Sequence, residues 1–234
     1  MKGVIFSSMA PLTQPEEWFS NLSNQFQTLE MVQPIALELT TNRAGNQGNL
    51  ADDLSIEQME KINLTAEQNG FQFASLFLPI QIETEEKTSG LELSNCNGWV
   101  DLASYLGFNQ VRVRVQNLTT PLSNQFQDVL FELLQYIQES GLTASLSFAR
   151  DDESNAQTVI EHYNHAHRSA VGQDVIIPFA GFDKLEFEAA QDRTITSIFI
   201  PIGMIPNAHQ LDTLTSQIHR LIAEQNFSIV IGID

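Results

Sequence analysis

Two arginines and a glutamine occur at alternate positions in one short stretch of the chain. Arg112, Arg114 and Gln116 are separated by single valines, and this period of two predicts a β-strand. A guanidinium offers a planar fork suited to a carboxylate or a phosphate. The flanking segments favour helices, and helices cover both faces of a parallel strand. We therefore expect these polar side chains to point into a confined, partly polar interior.

An acidic residue in an otherwise apolar segment is the second candidate. Glu38 lies within the apolar run from Pro34 to Thr40. Burying an unpaired carboxylate costs about several kcal/mol, so Glu38 needs a partner or a function. It could act as a general base, or as a ligand of a substrate or a metal. The alternative is an internal ion pair with Arg112 or Arg114, and the sequence leaves both interpretations open.

Further polar candidates stand near the ends of predicted strands. Ser7 belongs to the first predicted strand, Asn42 follows the second, and Ser147 and Arg150 come at the end of the fifth. With Gln116, we predict that these residues bind a substrate.

Two groups of residues could hold a metal, but a simpler interpretation is available for each. Asp151 and Asp152 could bind a cation or begin a helix, where negative charge is favourable. Three histidines fall in one predicted helix, towards the face opposite the predicted site, and we interpret them as surface residues: His162, His165 and His167.

The elements that must position these residues alternate between strand and helix. Such alternation predicts a parallel α/β sheet, and eight strands predict a single-domain (β/α)8 TIM barrel over residues 1–234. Function in this fold sits at the carboxyl ends of the strands. We expect no eighth helix, and the groove between the first and last strands is then a possible homodimer contact. The strands are expected near residues 3–8, 34–40, 71–79, 111–116, 142–148, 174–179, 195–202 and 227–233.

The helix boundaries follow from capping and breaking signals. Ser55 and Gln58 have the spacing of a capping box. We expect a long loop over residues 80–97 before a third helix over 98–106, and a fifth helix that continues to about Val171. A short sixth helix over 183–190 and a seventh beginning at Pro206 complete the prediction.

Composition excludes several classes of partner. The chain has 11 basic and 29 acidic residues and a net charge of −18, which repels nucleic-acid backbones and anionic membranes. Its one cysteine, Cys96, cannot form an intrachain disulfide. No signal peptide or membrane span is visible, and we expect a cytoplasmic protein. Neither a P-loop nor a dinucleotide-binding fingerprint occurs.

With this pattern assembled, the chain resembles the xylose-isomerase-like TIM barrels, a group of sugar isomerases, epimerases and family 2 apurinic endonucleases. The resemblance covers nearly the whole chain and rests on the order and spacing of motifs that are weak individually. These motifs are Lys2–Ser8, Ile35–Leu39, Phe77–Pro79, Trp99–Gly107 leading into Val111–Val113, and Leu221–Phe227 leading into the last strand.

The resemblance implies a divalent metal, but its usual ligands are not found. Family members typically hold the metal with Glu on strand five, Asp after strand six, His on strand seven and Glu on strand eight. Here Ser147 occupies the first position, the far end of strand six offers no carboxylate, and strand seven has no histidine; only Asp234 corresponds on strand eight. Hard cations need several oxygen ligands, so a divalent metal is possible but lacks an evident site.

The resemblance implies a divergent sugar isomerase or epimerase that acts on or binds a small carbohydrate or an acidic sugar derivative. Glu38 would be the base and Arg114 the electrostatic stabiliser of the enediolate, with Gln116 and Ser147 as positioning groups. The alternative is a non-catalytic barrel that binds a small ligand or a partner protein. The net charge disfavours an endonuclease-like role.

Overall fold

Eight parallel strands form a closed barrel in the order of the chain. The computed structural model describes residues 4–8, 15–27, 35–40, 55–80, 90–115, 122–177, 195–200 and 228–233. The strands are β1 (Val4–Ser8), β2 (Ile35–Thr40), β3 (Phe71–Ile80), β4 (Gln110–Val115), β5 (Thr143–Ala149), β6 (Gly172–Ile177), β7 (Ile195–Ile200) and β8 (Ser228–Ile233). The predicted (β/α)8 barrel is therefore confirmed.

Five helices are described, and a short 3-10 helix (Arg150–Asp152) precedes the last of them. They are α1 (Pro15–Gln27), α2 (Ile56–Gln68), α3 (Gly90–Tyr105), α4 (Asn124–Glu139) and α5 (Glu153–His167). No described helix has the length and apolar character needed to cross a membrane. The sixth and seventh predicted helices lie outside the described residues.

The sequence signals fix the second helix better than the third and fifth. The capping box of α2 is present: the Ser55 hydroxyl accepts from the Gln58 amide at 3.2 Å, and the Gln58 side chain accepts from the Ser55 amide at 2.7 Å. The third helix was expected at residue 98 but begins at Gly90. The fifth was expected to reach about Val171 but ends at His167, because Arg168 turns into the left-handed region with φ 51°.

The described turns that lead from a helix into β3, β4 and β5 share one conformational feature. Each contains a glycine with positive φ, a conformation that is strained for residues with a Cβ atom. These are Gly70, Gly107 and Gly141, with φ of 83°, 76° and 81°. The turns are short, as predicted.

Apolar strand residues face the helices, and polar ones face the barrel interior. Val111, Val113 and Val115 of β4 are buried in the hydrophobic core, together with Leu37 and Leu39 of β2. Their strand neighbours on the other face are mostly polar, and several of these are equally buried. Alternation along a strand sends successive side chains to opposite faces, so the helices take the apolar face, and the interior receives Glu38, Thr40, Arg112, Ser145, Ser147 and Asp174.

A register shift in β3 changes which of its residues face inward. Leu37 pairs with Phe73 but Glu38 pairs with Ser75, so Ala74 is an extra residue opposite β2. Before the shift, Phe73 packs against Phe19 of α1 with ring centroids 6.0 Å apart. After it, Ser75 bonds to Glu38 inside the barrel. A bulge of one residue reverses the alternation of a strand, and here it turns the second half of β3 towards the interior polar side chains.

The three tyrosines of the chain each donate a hydrogen bond, and those of Tyr105 and Tyr136 are exposed whereas that of Tyr163 is partly buried. Tyr105 donates to Glu60 at 2.5 Å and Tyr136 to Asp101 at 2.6 Å. These bonds, followed by the charge of Glu60 for Tyr105 and by burial for Tyr136, raise the pKa of both phenols. Burial, followed by the charge of Glu139, raises the pKa of Tyr163. All three phenols therefore hold their protons more tightly than free tyrosine.

Candidate functional site

Three charged side chains meet in the middle of the barrel. Glu38, Arg112 and Asp174 come from the alternate strands β2, β4 and β6 and are 1%, 0% and 0% exposed. Side chains of alternate strands form the interior layers of a (β/α)8 barrel. Such layers are usually filled by branched apolar residues, and here one is built from an ion-pair cluster. We call these three residues the interior triad.

Arg112 bridges the two carboxylates of the interior triad. Its Nη1 donates to Glu38 Oε1 at 2.7 Å and to Oε2 at 2.5 Å. Its Nε donates to Asp174 Oδ2 at 3.1 Å, and its Nη2 also bonds to that oxygen. The guanidinium carbon lies 5.0 Å from the centroid of the Phe77 ring, within range of a cation–π interaction. The fork of arginine is thus held from three sides.

Two serines complete the bonding of the carboxylates. Ser75 donates to Glu38 Oε2 at 2.7 Å, and Ser147 donates to Asp174 Oδ2 at 2.5 Å. Both serines are fully buried. A buried carboxylate is stable only when its oxygens are satisfied, and the interior triad meets this condition for Glu38 through one guanidinium and one hydroxyl.

The charge state of Arg112 follows from its surroundings. Burial alone would lower its pKa, but the charges of Asp174 and Glu38 and the bonds to them outweigh burial and raise it above the ordinary arginine value. The two carboxylates thus favour the cationic form of the guanidinium, although it is completely buried.

Arg114 stands one layer nearer the carboxyl ends of the strands. It is two residues beyond Arg112 on β4, so its side chain leaves the same face of the strand, and it pairs in register with Ser147 of β5. Unlike Arg112, it is partly exposed. A cationic side chain is therefore placed between the closed interior triad and the end of the barrel at which this fold carries its sites.

The structure gives the predicted site residues different positions. Glu38 has the ion pair with Arg112 that the sequence left open as its alternative. Ser147 lies inside the barrel, bonded to Asp174. Ser7 lies in β1, opposite Glu38 of β2 in register, and Arg150 begins the 3-10 helix after β5. Asn42 and Gln116 lie outside the described residues. The catalytic and substrate-binding roles of these residues stay predictions.

Sequence reasoning missed two members of this network. Asp174 was not predicted, because the resemblance implies a carboxylate at the far end of β6, whereas Asp174 is the third residue of that strand. Its signal resembles that of Glu38, because each is an acidic residue beside apolar strand residues: Glu38 lies within an apolar run and Asp174 directly precedes one. Ser75 could not be recognised, because the bulge at Ala74 breaks the alternation that would have shown its face.

The other metal candidates are on the surface or at a helix start. The three histidines are exposed, as predicted, and His167 stacks on Tyr163 with ring centroids 4.5 Å apart. Asp151 and Asp152 lie in the 3-10 helix immediately before α5. Within the described ranges, no three His, Cys, Asp or Glu side chains are grouped so that they could hold a metal ion.

The described interior does not fit the divalent metal that the family implies. The two carboxylates that converge inside the barrel, Glu38 and Asp174, are bridged by a guanidinium. A cation shared by them would compete with Arg112 for the same oxygens and would be repelled by its charge.

Comparison with solved structures supports the fold. The chain is similar to a xylose isomerase-like TIM barrel protein from Mycobacterium smegmatis in complex with magnesium, with 16% identity, a TM-score of 0.58, and coverage of 97% of this chain and 89% of that one. It is also similar to an AP endonuclease, family 2, from Brucella melitensis, with 10% identity, a TM-score of 0.52, and coverage of 98% and 91%. The resemblance to xylose-isomerase-like barrels is therefore confirmed for the fold.

A third structure aligns over a shorter part. It is a xylose isomerase domain protein from Planctomyces limnophilus, with 14% identity and a TM-score of 0.49; the match covers 75% of this chain and 63% of that chain, less than two thirds of its length. No protein-family model and no curated protein matches the sequence.

Proposed function

We propose that this chain is a divergent sugar isomerase- or epimerase-like barrel that binds a small acidic carbohydrate derivative, such as a sugar acid or a sugar phosphate. The observation that carries the proposal is Arg114, a partly exposed cation on the interior face, one layer above a fully closed ion-pair network. A planar guanidinium at the mouth of a barrel suits a carboxylate or a phosphate. The fold of the structural neighbours, which include a xylose isomerase-like protein, agrees with this class of ligand.

Two activities are compatible with such binding. In the first, Glu38 removes a proton next to a carbonyl group, and Arg114 stabilises the negative charge that develops. In the second, the barrel binds its ligand without catalysis. The geometry favours the second, because both oxygens of Glu38 accept from Arg112 and its side chain is 0% exposed. A base must reach the proton that it removes, and Glu38 would first have to leave Arg112.

Binding is tested by isothermal titration calorimetry with a sugar acid, a sugar phosphate and the matching neutral sugar. We expect the acidic compounds to bind and Arg114→Gln to weaken their binding about ten- to hundredfold, since a hydrogen bond to a charged group is worth about 1.5–3 kcal/mol and 1.4 kcal/mol is a factor of ten. Arg168→Gln is the matched control, because Arg168 is exposed in the turn after α5, at the opposite end of the barrel. Equal affinity of wild type and Arg114→Gln would refute the role of Arg114.

Catalysis is tested separately by incubating the bound sugar derivative with protein in deuterium oxide and measuring carbon-bound deuterium by NMR. No exchange above the protein-free rate is the expected result. Exchange that wild type catalyses and Glu38→Gln abolishes would establish the first activity instead, provided that Glu38→Gln still binds the ligand. The proposed homodimer and the cytoplasmic location are independent of both outcomes, and sedimentation velocity of the wild type tests the dimer.

A further inference from the structure

Arg112 lies between two buried carboxylates of the barrel interior, those of Glu38 and Asp174. Glu38 and Asp174 belong to strands on either side of β4, the strand that supplies Arg112. Ser75 and Ser147 add a hydroxyl to each carboxylate. Carboxylate and hydroxyl oxygens are the donors that hard divalent cations prefer. The oxygen donors of this interior are therefore those of a cation site, yet the cation that they bind is a side chain of the protein, the guanidinium of Arg112.

We infer that the guanidinium of Arg112 takes the place of a divalent cation between Glu38 and Asp174, so that the barrel centre is closed to metal as long as Arg112 is present. Three features support this substitution. The guanidinium reaches both carboxylates at once. It is fully buried, so it cannot leave without reorganisation of the interior. The Phe77 ring covers it at 5.0 Å and adds a contact that favours a guanidinium over a hydrated metal ion.

The consequence is a site that can be opened by one substitution. Arg112→Ala removes the cation and most of the volume of its side chain, and it leaves four oxygen-bearing side chains around the vacated space. A small cation and its waters can then replace the lost charge. Arg112→Met removes the same charge but fills the space with an apolar side chain of similar length. The two variants therefore separate loss of charge from creation of a cavity.

The experiment compares thermal unfolding of wild type, Arg112→Ala and Arg112→Met in millimolar manganese, magnesium or guanidinium chloride, with choline chloride at matched ionic strength as the control. We expect the wild type to change by less than one degree. Arg112→Ala should melt well below the wild type and gain several degrees with manganese or guanidinium but not with choline. Arg112→Met should gain nothing from any of these ions.

Metal content of the purified proteins provides a second readout. We expect less than one tenth of an equivalent of divalent metal to be bound through these carboxylates in the wild type, and close to one equivalent in Arg112→Ala dialysed against manganese. A wild-type equivalent of metal that Glu38→Gln or Asp174→Asn removes would overturn the inference. So would a folded Arg112→Ala that responds to neither manganese nor guanidinium.

If Arg112→Ala does not fold in ordinary buffer, it is refolded in the presence of the same ions. Recovery of soluble protein only with manganese or guanidinium supports the inference. Equal recovery of Arg112→Ala in choline overturns the inference. The inference is also overturned if Arg112→Ala fails to refold in every ion while Glu38→Gln/Arg112→Ala/Asp174→Asn folds, because the carboxylates would then be unable to share a small cation. The role of Arg112 is independent of which ligand binds at Arg114, so the two proposals can fail separately.

Discussion

Removing the positive charge of the interior triad should destabilise the protein more than any surface change. Arg112→Met leaves Glu38 and Asp174 buried without their cation. Breaking one buried pair costs about 3–5 kcal/mol. Two carboxylates lose their partner here, but the losses share one side chain and do not simply add. We therefore expect a loss of about 4–6 kcal/mol in the free energy of unfolding.

The same loss can be expressed as a melting temperature. For a chain of this size, about 1 kcal/mol corresponds to about 2–4 °C, so Arg112→Met should melt roughly 8–24 °C below the wild type. Urea unfolding followed by circular dichroism gives the free energy directly, provided that the dependence on urea concentration has the same slope in both proteins.

A matched variant tests the electrostatic cause. In Glu38→Gln/Arg112→Met/Asp174→Asn no charge remains at the three positions of the interior triad, and the new amide oxygens can still accept from Ser75 and Ser147. Replacing a whole buried ion cluster by well-packed apolar residues is often close to neutral. This variant introduces two amides but leaves no unpaired carboxylate at these positions, so it should recover more than half of the loss. The reasoning is refuted if Arg112→Met lies within about 1 kcal/mol of the wild type, since that is the size of an exposed pair, or if the triple variant is no more stable than Arg112→Met.

Three further predictions concern the surface and the turns. Because the folded state raises the pKa of all three tyrosines, the tyrosinate absorbance of the folded protein should rise only above pH 10. The contribution of these tyrosines to stability should be complete below pH 10 and fall as the pH rises through the folded pKa values. Tyr105→Phe should remove about one third of the absorbance change, and titration of any tyrosine below pH 10 in the folded protein contradicts the prediction. Gly141→Ala should destabilise by about 1 kcal/mol because of its positive φ, whereas Gly98→Ala inside α3 should stabilise by about 0.5–1 kcal/mol. A Cβ atom at either glycine meets no atom within 4 Å, so equal effects in urea unfolding would exclude the backbone explanation. Ser55→Ala should cost about 1 kcal/mol by removing the capping box of α2, and Ser55→Asp, which can still cap, should cost less.

The barrel could be predicted from the sequence because its signals are local. Alternation in β4, the capping box at Ser55 and glycines such as Gly141 each act within a few residues, and the barrel follows from their order. The predicted start of α3 was wrong by eight residues, since the polar and glycine-bearing segment before Asn97 has no strong capping signal.

The site was only partly predictable, for a different physical reason. Period two shows that Arg112 and Arg114 share a face, but only the register between strands shows which of them meets Glu38. When parallel strands are joined by helices, the spacing of residues in the sequence does not show how the strands are aligned with one another. Asp174 was missed for the same reason, because its importance depends on a residue 62 positions earlier in the chain.

The sequence separation of the Arg112 ion pairs also limits which fragments of this barrel we expect to fold by themselves. Its partners lie 74 residues before it and 62 residues after it, so its charge is fully compensated only when β2 to β6 are assembled together. A two-strand or four-strand fragment that lacks either end would bury an arginine or a carboxylate without its partner, or would stay open to water. Contacts so distant in sequence also pay the largest loop-closure entropy during folding. We therefore expect the interior triad to make the assembly of strands β2 to β6 cooperative.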